Sequence, residues 1–239
     1  WDIGLPNRRG VGHVYSSRHM SDEKAKAILA EYVGPKFKSL SVNNISIQCG
    51  HRKEFWKNNC VGIGMAAGFL EPLEASALML IEMAAKFVRD QLPEHKNIMP
   101  IVAKRFNERQ TYHWNRIVDF LKLHYVLTKR EDSAFWRDNK NPETIPESLS
   151  ELLALWEYHS PYLQDFHRKN EVFPAASYQY ILYGMGFNTQ ISEREETKED
   201  MQANMALTEN NKLIEKGIAL MPNNRELLEK INQHGMKAI

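Results

Sequence analysis

The sequence predicts an α+β protein that is mainly α-helical. Segments typical of strands are confined to residues 1–64, where one capped helix accompanies them. From Pro72 onward, apolar residues recur mostly at helical spacing. The composition, 43% hydrophobic and 26% charged over 239 residues, is that of a globular protein with a sizeable core.

The first 64 residues contain four predicted elements. A short strand is predicted at Val11–Tyr15 and a helix at Asp22–Tyr32, for which Ser21 is the N-cap residue. Ser41–Cys49 alternates apolar and polar residues as a strand does, and Cys60–Gly64 has the character of a short buried strand.

The helical part begins with Ala75–Val88, which is apolar nearly all round and is therefore predicted to be a buried helix. A long helix follows at Val102–Leu127, and a third begins at Pro146 and ends near Tyr158. Pro161–Phe187 is rich in aromatic residues and is predicted to be irregular. After a charged stretch at Ser192–Asp200, two amphipathic helices are predicted within 201–236, separated at Met221-Pro222-Asn223-Asn224.

Charge and composition argue against several classes of protein. The net charge of +1 favours neither nucleic acid nor a membrane surface, and no apolar run is long enough to span a bilayer. The start of the chain lacks the features of a signal peptide, and two cysteines are too few for a disulfide scaffold, so a cytoplasmic location is expected. No metal is expected, because no ligand spacing typical of a metal site is present.

The segment at residues 59–82 carries the most chemistry. Its glycines and alanines allow a flat or large group to approach the backbone, and Pro72 suits the first turn of a helix. The N–H groups that follow Glu74 would be unpaired there and could bind a small anion. The glycine spacing, GxGxxxG, is not the dinucleotide-binding fingerprint. Glu74 could alternatively do no more than favour the helix dipole.

Several ordered blocks resemble a known family. The string NCVGIGMAAGFLEPLEAS at 59–76 is preceded by Trp56, and GVGHVYS occupies 10–16. A third block runs from His124-Tyr125 to Phe135-Trp136, and Trp1-Asp2-Ile3 matches the end of a tryptophan-containing signature. Together these blocks are similar to the flavin-dependent tryptophan halogenases, over residues 1 to about 190.

The resemblance implies a C-terminal portion of such an enzyme. Residues 1–90 would complete a flavin-monooxygenase-like FAD-binding domain, and 91–239 would form a helical substrate cap. The family uses reduced FAD, oxygen and chloride or bromide to make hypohalous acid, which reaches a lysine beside an electron-rich aromatic substrate. That lysine and the N-terminal FAD-binding half would lie outside this chain, which alone should be inactive. A flavin reductase would supply FADH2, and a homodimer is left open.

The resemblance also implies roles for particular residues. Glu74 matches the family's catalytic glutamate, and Ser76 and Ala77 match the positions whose backbone N–H groups hold the halide. Met65 and Leu78 match backbone positions that contact FAD. Trp1 matches a tryptophan that keeps the flavin side from acting as an ordinary monooxygenase.

Substrate and activity class stay open at this point. The paired tyrosines and downstream glutamate that hold free tryptophan in the family are not found around Ser177–Phe187. The substrate could therefore be tryptophan, indole, another aromatic or a peptide-borne ring. His124 could line the substrate pocket or be a hydrogen-bonded core histidine. The alternatives to a halogenase are a hydroxylating flavin monooxygenase and a non-catalytic helical binding module.

Overall fold

Short paired strands precede a series of helices in a computed structural model, which describes residues 1–168, 170–190 and 197–235. The chain divides into two units, 1–190 and 191–239. Among the described residues the strands form three antiparallel pairs: β1 (Asp2–Gly4) with β2 (Arg9–Val11), β3 (Gly50–His51) with β6 (Gly68–Phe69), and β4 (Trp56–Lys57) with β5 (Cys60–Val61).

The strand predictions were mostly wrong. Of the strand expected at Val11–Tyr15, only Val11 is in β2, and no strand forms at Ser41–Cys49, where Ile45 is 75% exposed. An alternating pattern makes a stable strand only when a neighbour pairs with it, and no described residue does so there. The strand expected at Cys60–Gly64 is shorter and less buried than predicted, because Gly64 has a φ of +63° and turns the chain.

Six helices belong to the first unit within its described residues. They are α1 (Asp22–Val33), α2 (Ala77–Gln91), α3 (Met99–Leu127), α4 (Ala134–Asn139), α5 (Glu147–Trp156) and α6 (Ala175–Gly184). Short 3-10 helices occupy Pro35–Ser39, Gly64–Ala66, Lys96–Ile98, Pro142–Thr144 and Leu163–Asp165. The prediction of an irregular segment at Pro161–Phe187 was wrong where α6 forms.

The helix predictions were otherwise close. The Ser21 hydroxyl accepts a hydrogen bond from the Lys24 N–H and caps α1, as predicted. The helix α3 begins three residues before the predicted Val102, and α5 matches the predicted Pro146–Tyr158 to within two residues at its end. The helix predicted from Ala75 begins at Ala77, and it is only partly buried, since Leu80 and Ala84 are its buried residues.

The helix α3 lies between two groups of buried side chains. One group joins α2 and the strands to α3 through residues that include Phe55, Trp56, Leu80, Phe106, Trp114 and Ile117. The other joins α5 and α6 to α3 through residues that include Phe120, Leu149, Trp156, Tyr178 and Leu182. Because α2 and α3 share a core, no break in packing occurs near residue 90. The boundary expected there stays a proposal about the intact protein.

The side chain of Asn107 attaches the β4 strand to α3. Its Oδ1 accepts hydrogen bonds of 2.8 Å from the N–H groups of Phe55 and Trp56, and its Nδ2 donates to the Trp56 carbonyl at 2.9 Å. One amide thus satisfies three backbone groups of a strand too short to pair fully with a neighbour. This fixes the strand that leads into the 59–76 segment.

The second unit contains two described helices, α7 (Lys198–Leu220) and α8 (Asn224–His234), which confirm the two helices predicted within 201–236, although α7 begins three residues earlier. Thr197 and Asn223 cap them through their side chains. The predicted separation at 221–224 is confirmed. Part of the charged stretch Ser192–Asp200 and the final residue of 201–236 lie outside the described residues.

Candidate active site

The turn at residues 71–76 and the start of α2 form the centre of the candidate site. Pro72 was predicted to lie in the first turn of the helix, and this prediction was wrong. The helix begins only at Ala77, because Ala75 before it has a φ of +49°. The first backbone hydrogen bond of α2 runs from the Leu80 N–H to the Ser76 carbonyl, at 3.1 Å. The N–H groups of Ala77, Leu78 and Met79 therefore have no acceptor among the described residues, and they can bind an anion.

Glu74 lies beside His124 of α3. Its Oε1 is 2.9 Å from the His124 Nε2, and both side chains are partly buried, at 31% and 17% exposure. The oxygen does not lie along the direction of an Nε2–H bond, so this is a short polar contact rather than a linear hydrogen bond. No pattern in the sequence indicates this pairing between residues 50 positions apart.

A carbonyl group sets the tautomer of His124. Its Nδ1 is 2.8 Å from the Phe120 carbonyl oxygen, which can only accept, so Nδ1 carries the hydrogen. The edge of the ring packs against the Phe120 side chain at a centroid distance of 5.2 Å. His124 is thus a hydrogen-bonded, partly buried histidine whose Nε2 lies beside the predicted catalytic carboxylate. Its place in the wall of the substrate pocket stays a prediction.

The second carboxylate of the turn, Glu71, lies close to the phenol of Tyr125, the residue that follows His124. Burial, and then the interaction with Glu71, raise the pKa of Tyr125 well above its ordinary value. Burial, with a smaller contribution from the Glu71 charge, also raises the pKa of the nearby Cys49 thiol. Consecutive residues of α3 therefore contact both glutamates of the Glu-Pro-Leu-Glu turn.

The two residues predicted to contact FAD lie on neighbouring segments with exposed side chains. Met65 is 84% exposed in the Gly64–Ala66 turn, and Leu78 is 79% exposed in the first turn of α2. The turn closes tightly, since a Cβ at Gly62 would be 3.0 Å from the Ala66 carbonyl oxygen. Small residues therefore keep the backbone accessible on this side, which fits a flat ligand.

Trp1 packs on the β2 strand and the residue after it. A Cβ at Gly12 would be 2.3 Å from the Trp1 ring, and one at Gly10 would be 3.2 Å from it. The indole ring therefore leaves no room for a side chain at Gly12 and little room for one at Gly10. This contact explains why the two sequence blocks occur together.

A cavity of about 340 Å³ borders the first turn of α2. Its lining is mainly apolar and includes Met79, Phe166, Pro174 and Glu171. One Glu171 oxygen accepts hydrogen bonds from the Tyr112 hydroxyl and, at 3.3 Å, from the Arg168 N–H. This cavity was not predicted from the sequence, because segments that are distant in the chain form it. The aromatic-rich stretch Pro161–Phe187 was the one sequence feature that could have indicated it.

Two further observations limit the chemistry of the described residues. They include no cluster of three or more histidine, cysteine, aspartate or glutamate side chains able to hold a metal ion. No described helix is both long and apolar enough to cross a membrane.

Comparison with known proteins identifies relatives of the whole first unit. The tryptophan halogenase family model matches residues 1–200. Tryptophan 6-halogenase SttH of Streptomyces toxytricini is 32% identical over 186 residues, and 7-chloro-L-tryptophan 6-halogenase KtzR of Kutzneria sp. is 33% identical over 186. Both alignments cover 78% of this chain, with 35% of the first relative and 36% of the second.

Solved structures agree with these relatives. The crystal structure of a tryptophan halogenase from Shewanella frigidimarina superposes on the whole chain with a TM-score of 0.95 and 45% identity, and 46% of that protein is covered. The structure of Tar14, a tryptophan C-6 flavin-dependent halogenase, covers 97% of the chain with a TM-score of 0.87 and 30% identity. The chain thus spans about a third of the curated relatives and less than half of the solved ones.

Proposed function

Since this chain belongs to the tryptophan halogenase family, we propose that it forms the substrate side of a flavin-dependent halogenase. The reaction is the halogenation of an electron-rich aromatic ring, indole or a tryptophan-like compound, with FADH2, oxygen and halide. One observation carries the proposal: unpaired N–H groups at the start of α2 lie within a few residues of Glu74, whose carboxylate His124 contacts.

FAD fits the accessible backbone of the Gly64–Ala66 turn and the first turn of α2. Met65 and Leu78 would contact it through their backbone atoms, because their side chains point into solvent and small residues surround them. The reduced cofactor, when bound, would supply with oxygen the oxidising equivalent that converts halide into hypohalous acid. The N-terminal half of the same protein would complete this site, and a separate flavin reductase would deliver FADH2.

Chloride or bromide would bind at the backbone N–H groups of Ser76 and Ala77. Helix-terminal N–H groups and the helix dipole both favour a small anion there. The side chains at this point, a hydroxymethyl and a methyl group, leave room for the ion to approach. Neither side chain needs to donate a hydrogen bond.

Glu74 would be the catalytic carboxylate. Hypohalous acid, held by a lysine outside this chain, transfers its halogen to a ring carbon, and the ring proton and hydroxide leave together as water. Positive charge develops on the ring before the proton departs, and a carboxylate beside the ring stabilises that charge. The partly buried position of Glu74 strengthens the effect, because fewer water molecules screen it.

The test is mass spectrometry of reactions with the full-length gene product, a flavin reductase, NADH, FAD and bromide, in which indole and tryptophan are offered together. We expect brominated products that disappear without bromide and in Glu74→Gln. Hydroxylated products that form equally without bromide would contradict the proposal and favour the monooxygenase. A folded protein that binds no FAD would favour the non-catalytic binding module.

A further inference from the structure

The turn that carries Glu74 is held in an unfavourable backbone conformation. Ala75 has a φ of +49°, in the left-handed region that residues with a side chain rarely adopt. Such a conformation persists only where surrounding contacts hold it. The contacts at this turn come from α3, because His124 contacts Glu74 and the Tyr125 phenol lies beside Glu71.

His124 is well placed to act as a rigid support. Its Nδ1–H is bonded to the Phe120 carbonyl, so the ring cannot rotate without losing that bond. Its Nε2 then stays 2.9 Å from the Glu74 Oε1, off the direction of a linear hydrogen bond. The backbone of a 29-residue helix therefore fixes the position of one carboxylate oxygen.

Aromatic side chains support the neighbouring contact. The Tyr125 ring meets Phe135 of α4 edge-on at 5.6 Å and lies 5.9 Å from Trp136. The Arg130 guanidinium covers the Trp136 ring at 4.4 Å. Little side-chain freedom is then lost when the phenol binds Glu71, so this second contact also helps to hold the turn.

We propose that His124 is a positioning residue, which acts on the reaction through Glu74 rather than as a wall of the substrate pocket. It orients the carboxylate toward the reacting ring and, together with the Tyr125 contact, holds the turn so that the free N–H groups of α2 remain aligned. The effect of His124 on the reaction rate rests on the proposed function. The effect of His124 on the turn is independent of that function.

The experiment compares three substitutions of His124 in the full-length gene product. In His124→Gln the amide nitrogen can occupy the place of Nε2 and keep the contact with Glu74. In His124→Asn the amide can occupy the place of Nδ1 and keep only the bond to the Phe120 carbonyl. His124→Phe keeps the ring and neither nitrogen.

We expect kcat for bromination to fall roughly ten-fold or more in the Asn and Phe variants, since small displacements of a catalytic group have effects of this size. The Gln variant should stay near the parent, and KM for the aromatic substrate should change little in all three. Amide hydrogen exchange at residues 80–84, the first hydrogen-bonded amides of α2, should become faster in the Asn and Phe variants alone. Tyr183→Phe removes a hydroxyl group that donates a hydrogen bond to Ser160. It is the control for the loss of a side-chain hydrogen bond elsewhere in the protein.

A raised KM with unchanged kcat would overturn the inference, since it would make His124 a pocket wall. Equal exchange at residues 80–84 in all variants would also overturn it. If the parent makes no brominated product but exchange rises only in the Asn and Phe variants, the proposed function fails while the support of the turn by His124 stands.

Discussion

A buried histidine on α3 predicts how the stability of the protein depends on pH. The His113 side chain is fully buried, and neither ring nitrogen has a hydrogen-bond partner among the described residues. Burial, and then the charges of Arg109 and Arg168, lower the pKa of His113 from 6.5 to about 4. The perturbation we consider is His113→Leu, which replaces the ring with an apolar side chain of similar size.

The size of the effect follows from proton linkage. Between pH 6.5 and about 4 the unfolded chain binds a proton at His113 and the folded chain does not, so stability falls as the pH falls through this window. At pH 5 the loss is about 2 kcal/mol relative to pH 7, and it reaches about 3 kcal/mol below pH 4. His113→Leu removes this contribution and also removes two unpaired nitrogens, so it should stabilise the protein at neutral pH by about 1 kcal/mol.

Thermal unfolding of the full-length gene product at pH 7 and pH 5 measures the difference. The acid-induced fall in Tm should be smaller in His113→Leu than in the parent by about 4–8 °C, for an unfolding unit of 150–250 residues. His95→Leu, at an exposed histidine, is the control and should behave as the parent does. An equal fall in Tm for parent and His113→Leu would refute the reasoning.

Two further predictions concern the backbone around the site. Ala75→Gly should be nearly neutral for Tm, because about 1 kcal/mol of relieved strain is offset by the greater freedom of glycine in the unfolded chain, whereas Ala75→Val should lower both Tm and the bromination rate. The same Tm in both variants would show that the φ of Ala75 is not strained. Asn107→Leu leaves two N–H groups and one carbonyl unpaired and should cost about 2–4 kcal/mol by denaturant titration. Asn107→Asp keeps the acceptor and should cost less, so an equal loss would contradict this account.

The helices could be predicted from sequence because their causes are local. A side-chain cap such as Ser21 and an apolar repeat such as that of α3 act within a few residues of the chain. Strands depend instead on a partner that local patterns do not identify. Ser41–Cys49 has a strand pattern without a described partner. The strand prediction there was therefore wrong, whereas the prediction of α1 was confirmed.

The candidate site could be predicted only in part. Glu74 and the anion-binding start of a helix followed from a single segment, and both remain the basis of the proposal. The start of α2 was misplaced because a non-glycine residue at positive φ, here Ala75, leaves no mark in the sequence. The contact with His124 could not be derived, since it depends on how α3 packs against the turn.

The packing gives a physical reason for two sequence blocks to occur together. A turn with a strained Ala75 and two neighbouring carboxylates is a poor structure on its own, because the carboxylates repel each other. The His124-Tyr125 pair contacts both carboxylates from one rigid helix, so the turn can keep its geometry before any substrate binds. In a site organised in this way, little substrate-binding energy is needed to order Glu74. More of that energy is then available to stabilise the charge that develops on the ring.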